Sequence, residues 1–203
     1  MIEALSYSLN TFYFLMSGML VMWMAAGFTM LEAGSVRSKN VNEILIKNIA
    51  LFSVASITYL IGGYWLMYGW NPPEGHALMA DFFFQVVFVA TAMSVVSGAV
   101  AERKKLWSFL GFAAIFTGII YPIQGSWSWG GGWLSELGFV DFAGSGIVHM
   151  AGAAAALAAV ILIGPRTGKY KKDGTPKPIH GSNSAQVTLG TLILWMGWFG
   201  FNG

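Results

Sequence analysis

Two ionisable residues at the start of an apolar run are the leading candidates for chemistry in this sequence. Asp141 and His149 lie eight residues apart in DFAGSGIVHM. Eight residues advance a helix by ~12 Å and turn it about 80° beyond two full turns, so the two side chains do not stack on one stripe. No nucleophile better placed than Ser145 lies near them. The spacing therefore argues against a hydrolase-like Asp–His pair and favours two separate roles along one path.

Asp141 and His149 each have a purely structural role as an alternative to a functional one. The Asp141 carboxylate is well placed to cap the helix that follows, because it would accept bonds from free backbone N–H groups and meet the positive end of the helix dipole. It could also orient a cation at the mouth of a cavity, and the two roles are compatible. His149 lies deep in the apolar run, where an ionisable side chain either faces a cavity or proton path or is a neutral group bonded across helices.

Aromatic residues form a third candidate feature. The cluster before Asp141 holds Trp127, Trp129 and Trp133, and a second cluster holds Phe82, Phe83, Phe84 and Phe88. Tryptophans at such places commonly form an interfacial belt, and the phenylalanines would serve equally well facing lipid. Aromatic faces also attract cations, by ~2 kcal/mol or more when desolvated. Rings that met near Asp141 would make a selective vestibule.

The remaining polar residues suggest no enzyme. His76 and His180 fall in loops, where exposure is expected, while Glu32 and Glu102 end apolar runs beside basic residues and are expected to act as helix-end or ion-pair residues. The chain has no cysteine, no HExxH and no phosphate-cradling glycine loop, so no metal or cofactor is expected. The basic stretch PRTGKYKKDGTPKP is too loosely patterned to indicate nucleic-acid binding.

The elements that must position these residues are membrane helices. The 203 residues are 56% hydrophobic and 10% charged, whereas soluble domains are roughly 25% charged. Six windows free of charged residues are each long enough to cross a ~30 Å hydrocarbon core. They predict an all-α polytopic membrane protein in one domain, residues 1–203, with helices near 10–31, 48–69, 82–101, 107–124, 142–163 and 186–203.

The loop charges predict an orientation. Every basic residue falls in or beside three alternate loops: Arg37, Lys39, Lys47, Arg103, Lys104, Lys105, Arg166, Lys169, Lys171, Lys172 and Lys177. Because basic residues near helix ends favour the cytoplasmic side, the N-terminus and the tryptophan-rich loop should face outward. The last window runs to Gly203 with no flanking charge, which suggests the first half of a larger protein.

Several motifs carry a family resemblance. In order along the chain they are AGFTMLEAGSVRSKN, GAVAERKKL, WGGGWL, DFAGSGIVHMAGAAAAL and GWFGFN. Together they resemble the ammonium transporter (Amt/MEP/Rh) family. The resemblance implies eleven membrane helices, built as two inverted five-helix halves plus a last helix. It further implies a homotrimer in the cell membrane with a pore through each subunit. This chain would hold helices 1–5 and part of helix 6.

The resemblance also implies residue roles. Trp129 resembles the outer tryptophan that holds ammonium by a cation–π contact, and Phe88 resembles its partner and the upper ring of a phenylalanine gate. Phe201 resembles the second gate ring, and Asp141 the carboxylate that recruits or deprotonates ammonium. His149 resembles the first of two hydrogen-bonded pore histidines. The supporting positions near the vestibule would be Phe84 and Gln85.

The expected function is transport of ammonium or ammonia across the lipid bilayer. Moving an intact cation through the bilayer centre costs at least ~2.5–3.5 kcal/mol, so ammonium should be deprotonated at the mouth and cross as ammonia. The second histidine and a serine of the outer site are expected beyond Gly203. The alternative is an ammonium sensor fused to a signalling module such as a histidine kinase, and a third possibility is a channel for water or neutral solutes. A PII-type regulatory protein at the basic face is implied by the family alone.

Overall fold

Long apolar runs and short polar loops fold as the composition predicts. Within residues 2–71 and 73–203, which the computed structural model describes, the chain forms six long helices and a short one. They are α1 Ile2–Ser35, α2 Ser38–Tyr68, α3 Leu78–Ala99, α4 Leu106–Ser126, α5 Trp133–Glu136, α6 Ser145–Ile163 and α7 Ser184–Phe201. The predicted all-α membrane fold is confirmed.

In the part of the chain that the structure describes, five helices are long and apolar enough to cross a membrane, namely α1, α2, α3, α4 and α6. The chain is therefore a multi-pass membrane protein. Helix α7 also lies in an uncharged window, but Gln186, Thr188 and Thr191 lower its mean hydropathy, and it is not among the five.

Among the described residues, four helices begin three or more residues from their expected positions, and one of them is α3, which starts at Leu78 rather than residue 82. Helix α1 starts at Ile2 rather than near residue 10, because helical hydrogen bonding continues beyond the most apolar stretch. Helix α2 starts before Lys47 rather than after it, since that charge is neutralised inside the bundle. Helix α6 starts at Ser145 rather than residue 142, because Gly144 adopts the left-handed conformation, with φ of 74°.

Three helices contain a wider, π-helical turn, at Tyr59–Gly63, Phe116–Ile120 and Ser145–Met150. The first two turns lie beside each other in the bundle, where the Thr58 and Thr117 hydroxyls are 2.8 Å apart. Such turns are often found at functional sites. The third one contains His149, and it removes the regular helical spacing from which the angle between Asp141 and His149 was predicted.

Helix α3 is the most enclosed long helix, and α1 packs along both α3 and α7. The approach of α1 to α7 is close: a Cβ atom placed on Gly190 would lie 2.4 Å from the backbone nitrogen of Leu31. Small residues allow this kind of backbone approach between membrane helices. The contact holds the end of α7, which carries Phe201, beside α1 and α3.

At one end of the bundle, which we call the basic end, Glu102 ties three loops together. Its carboxylate accepts hydrogen bonds from the Arg37 backbone and side chain, from Asn40 at 2.6 Å and from Arg166 at 3.0 Å. Burial of the Glu102 side chain would raise its pKa, but these bonds outweigh burial and lower the pKa to about 2. The ion-pair role expected for Glu102 is thus confirmed.

A second ion pair at the basic end lies inside the bundle. The Lys47 ammonium is fully buried and contacts the buried carboxylate of Glu32, which also accepts a bond of 2.8 Å from the Ser97 hydroxyl. The sequence predicted that Lys47 borders the first basic loop, just before its helix; it lies inside α2 instead and is buried. A lysine can be buried here because Glu32 supplies its counter-charge.

Candidate functional site

The opposite end of the bundle, which we call the aromatic end, brings together the rings singled out in the sequence. Phe88 of α3 lies at the centre, with its ring centroid 4.7 Å from that of Phe84, 6.0 Å from Trp129 and 4.5 Å from Phe201. Phe88 and Phe201 are buried. Two helices, α3 and α7, and the loop after α4 therefore contribute rings to one cluster, although Phe201 lies more than one hundred residues after Phe88 in sequence.

A cavity of about 300 Å³ opens beside these rings. Its wall is made of Phe14, Tyr68, Asp81, Phe84, Gln85, Phe88, Trp129, Phe142, Phe201 and Gly203. Five of the seven residues named from the sequence line it, and the two exceptions are Asp141 and His149. The volume suits a small ligand, and the wall is mostly aromatic.

His149 contacts Phe201, the ring that also contacts Phe88. Its ring stacks on Trp198 at 5.1 Å between centroids with an interplanar angle of 14°, and it lies 5.2 Å from the ring of Phe201. Its Nδ1 atom is 3.3 Å from the Gly144 carbonyl oxygen. The rings of Trp129, Phe88, Phe201 and His149 thus form one continuous series of contacts, with Trp198 supporting the last of them.

Asp141 contacts the site through its backbone rather than its carboxylate. The Trp129 indole nitrogen donates to the Asp141 carbonyl oxygen at 2.6 Å. The carboxylate accepts backbone N–H bonds from Ser145, Gly146 and Ile147 at 3.0, 2.9 and 2.8 Å. This is the capping role considered from the sequence, extended over three donors at the start of α6.

Gly144 makes this arrangement possible. Its positive φ is strained for other residues, and a Cβ atom there would lie 3.2 Å from the Trp129 ring and 2.9 Å from Val148. The chain can therefore turn into α6 directly beneath Trp129. The short AGSG stretch fixes both the capping carboxylate and the tryptophan.

Asp81 is a cavity residue that the sequence analysis did not single out. It lies in the first turn of α3, is 7% exposed, and accepts hydrogen bonds from the Tyr64 hydroxyl and, at 3.3 Å, from Gln85. The available signal was an acidic residue directly before the FFFQ run. Gln85 therefore connects Asp81 to the wall of the cavity.

His76 was expected to be exposed, and that expectation was wrong. Its ring stacks on Phe14 at 4.2 Å with an interplanar angle of 13°, and its Nε2 atom lies 3.7 Å from an Asp81 oxygen. The loop before α3 folds inward because Asn10 and Thr11 of α1 bond its backbone at Gly75 and Ala77. His180, in contrast, is exposed as expected.

The residues that the structure describes contain no group of three or more histidine, aspartate or glutamate side chains positioned to hold a metal ion. The aromatic end offers instead π faces and a few hydrogen-bond acceptors. Such a site is suited to a small organic or ammonium-type cation.

Comparison with known proteins is consistent with this chemistry. The model of the Ammonium Transporter Family matches residues 12–203. Ammonium transporter Amt2 of Archaeoglobus fulgidus is 46% identical over 93% of this chain and 45% of its own length. Ammonium transporter 1 member 3 of Solanum lycopersicum is 38% identical over 96% of this chain and 47% of its own length. The chain spans about half the length of these relatives.

Solved structures give the same result. A structure named Sensor Amt Protein superposes with a TM-score of 0.94 and 37% identity, covering 98% of this chain and 55% of that one. The crystal structure of Candida albicans Mep2 superposes with a TM-score of 0.82 and 26% identity, covering 95% of this chain and 47% of that one. These similarities extend through the whole helical bundle.

Proposed function

The chain belongs to the ammonium transporter family, and from that premise we propose that it handles ammonium at the aromatic end and passes ammonia across the membrane. Ammonium enters the cavity beside Trp129, transfers a proton to water at the open mouth, and continues as ammonia past Phe88 and Phe201 to His149. The observation that carries the proposal is the unbroken series of ring contacts from Trp129 to His149.

Binding as a cation takes place at the mouth. The faces of Trp129, Phe84 and Phe88 border the same cavity and provide negative π surface on several sides. A desolvated contact of this kind is worth about 2 kcal/mol. Gln85 supports the site from one turn along α3, where its amide contacts Asp81.

Passage beyond the mouth requires the neutral form. The rings of Phe88 and Phe201 contact each other at 4.5 Å between centroids, so a permeating molecule must displace at least one of them. A hydrated cation is too large for such a gap. Moving a bare cation to this depth of the membrane costs a free energy of ~2.5–3.5 kcal/mol or more. Ammonia has neither problem, and the imidazole of His149 provides a polar contact below the gate.

Asp141 acts at a distance from the ligand. Its carboxylate is occupied by three backbone donors and its carbonyl oxygen holds Trp129, so we assign it the role of positioning residue. Its negative charge still makes the mouth more favourable for cations. Replacing Asp141 should therefore act largely by displacing the Trp129 ring.

Membership of the family also supports a proposal about oligomeric state and orientation in the membrane. The protein forms a homotrimer in the plasma membrane, with the aromatic end outside and the basic end in the cytoplasm, where a PII-type regulator would dock. The concentration of lysine and arginine at one end of the bundle supports this orientation.

Uptake of methylammonium into cells or vesicles tests the proposal. Trp129→Ala should weaken uptake by at least ~10-fold, because about 2 kcal/mol of cation–π binding is lost. The matched control is Trp127→Ala, since Trp127 packs against Trp133 and does not line the cavity. If both variants transport like the unmodified protein, a channel for water or another neutral solute becomes the better explanation.

The proton has a separate test. If the proton released from ammonium crosses the membrane by way of His149, then His149→Ala abolishes the ammonium-induced current in membrane recordings. Some uptake of neutral ammonia can persist in that variant. An unchanged current in this variant would exclude a proton path through His149.

Ammonium sensing is the second candidate, and the superposition on the Sensor Amt Protein favours it. A sensor would bind ammonium at the same cavity and relay occupancy to a signalling module such as a histidine kinase. Saturable binding without uptake or current in the unmodified protein would identify a sensor, whereas saturable uptake would identify a transporter.

A further inference from the structure

The wall of the aromatic cavity contains a carboxylate with no fixed counter-charge. In the part of the chain that the structure describes, no lysine or arginine forms an ion pair with Asp81. The basic group nearest to it is His76, at 3.7 Å, which supplies a cation only when protonated. By contrast, Glu32 and Glu102 each have permanent basic partners.

Such a carboxylate is costly to bury unless something compensates it. One oxygen of Asp81 accepts the Tyr64 hydroxyl, and the other has the 3.3 Å contact with Gln85. An ionised carboxylate has about four acceptor positions. The second oxygen therefore retains acceptor capacity, and Asp81 is one of the residues that line the cavity.

A second polar group in the same wall also lacks a partner. The Tyr68 hydroxyl is enclosed, and among the described residues it has no hydrogen-bond partner. A buried hydroxyl without a partner destabilises the fold, because its lost bonds to water are not replaced. Native proteins retain such groups rarely, and a ligand or ion that satisfies them is a standard reason.

We propose that Asp81 and Tyr68 form a hydrogen-bonding subsite for the ammonium-type cation within the aromatic cavity. The proposal rests on the function proposed above and assigns two further ligand contacts. Aromatic faces attract a cation without strong direction, whereas ammonium has four N–H donors that need oxygen acceptors. The Asp81 carboxylate and the Tyr68 hydroxyl supply acceptors beside the rings of Phe84 and Phe88. Together they favour a cation with N–H donors over an alkali ion.

Two conservative variants separate a ligand contact from a structural one. Asp81→Asn keeps an oxygen that can accept from Tyr64 but removes the charge. Tyr68→Phe removes a hydroxyl that bonds no described residue, so it cannot disrupt a hydrogen bond of the fold. The matched control is Tyr59→Phe, another buried tyrosine, whose hydroxyl donates to the Met67 sulfur and does not line the cavity.

The measurement is the dissociation constant for ammonium chloride, determined by calorimetry on the purified protein in detergent, with potassium chloride as competitor. We expect Asp81→Asn to weaken ammonium binding by ~10-fold or more and Tyr68→Phe by at least ~3-fold. Both should also reduce the preference for ammonium over potassium. Tyr59→Phe should bind like the unmodified protein. Thermal unfolding without ammonium should show that Tyr68→Phe is at least as stable as the unmodified protein.

The outcomes distinguish this subsite from the wider function. Suppose that Trp129→Ala loses ammonium binding while Asp81→Asn and Tyr68→Phe bind with unchanged affinity and selectivity. The subsite proposal is then wrong, and the proposal of an ammonium site at the aromatic rings is retained. If the unmodified protein does not bind ammonium, or Trp129→Ala binds it normally, the function itself is wrong. Should Asp81→Asn fail to fold, Tyr68→Phe decides, because its hydroxyl has no structural partner among the described residues.

Discussion

The two ends of the bundle treat buried carboxylates in opposite ways. At the basic end, Glu32 contacts Lys47, and Glu102 contacts Arg37 and Arg166, so each negative charge has a permanent cation from the chain itself. At the aromatic end, Asp81 lies beside a cavity and has no lysine or arginine partner among the described residues. The basic end is thus neutralised by the chain's own lysine and arginine side chains, whereas the carboxylate at the aromatic end borders a cavity.

The Glu32–Lys47 pair gives the largest expected effect. Lys47→Met leaves a buried carboxylate without its cation, which typically costs ~3–5 kcal/mol. We expect the midpoint of thermal unfolding in detergent to fall by about 10 °C. The double variant with Glu32→Gln should recover much of this loss, because neither charge then remains. If the single variant is as stable as the double one, the pair does not neutralise the basic end as described.

The Glu102 cluster gives a smaller, pH-dependent effect. Its pKa is lowered from 4.5 to about 2, so the ionised form is favoured in the folded state. A lowered pKa contributes stability above pH 4.5 that is lost as pH falls towards 2. The contribution is on the order of 2 kcal/mol once solvent screening is allowed for.

Thermal unfolding between pH 5 and about pH 2 measures this contribution. We expect the unmodified protein to lose stability over that window, and Glu102→Gln to show a flatter profile over the same range. A profile with the same slope in the variant would mean that other carboxylates dominate the acid sensitivity.

The same contrast explains how much of the molecule the sequence predicted. Charge-free windows are long, strong signals, so the helical membrane fold followed from composition and loop charges. Lys47 was misplaced because its neutralising partner is fifteen residues away and becomes a neighbour only after α1 and α2 pack. Likewise, nothing in the local sequence indicates that the loop of His76 folds inward, since its anchors are on α1.

Residue types and spacing drew attention to Trp129, Phe88, Asp141 and His149, and the family resemblance added Phe201 and the individual roles. The structure places the rings of Trp129, Phe88 and Phe201 in one series of contacts. Asp81 and Tyr68 are not among these residues. They stand out only in the folded structure, where, among the described residues, Asp81 has no lysine or arginine partner and the Tyr68 hydroxyl has no hydrogen-bond partner. An unpartnered hydroxyl or an uncompensated charge is a property of three-dimensional packing and has no signature in a single sequence.

Asp81→Asn gives the smallest expected effect on stability and is the sharpest test of the contrast between the two ends. Because no fixed cation is left unpaired, and because the amide oxygen can still accept the Tyr64 hydroxyl, removing the charge should change ammonium-free stability by less than ~1 kcal/mol or increase it. The control is Glu32→Gln, which leaves Lys47 unpaired and should be several-fold more damaging in the same unfolding assay. Added ammonium should stabilise the unmodified protein more than Asp81→Asn, since at a given concentration the more tightly bound ligand stabilises the folded state more. If Asp81→Asn is as destabilising as Glu32→Gln, the carboxylate has a structural counter-charge after all, and the two ends of the bundle are alike.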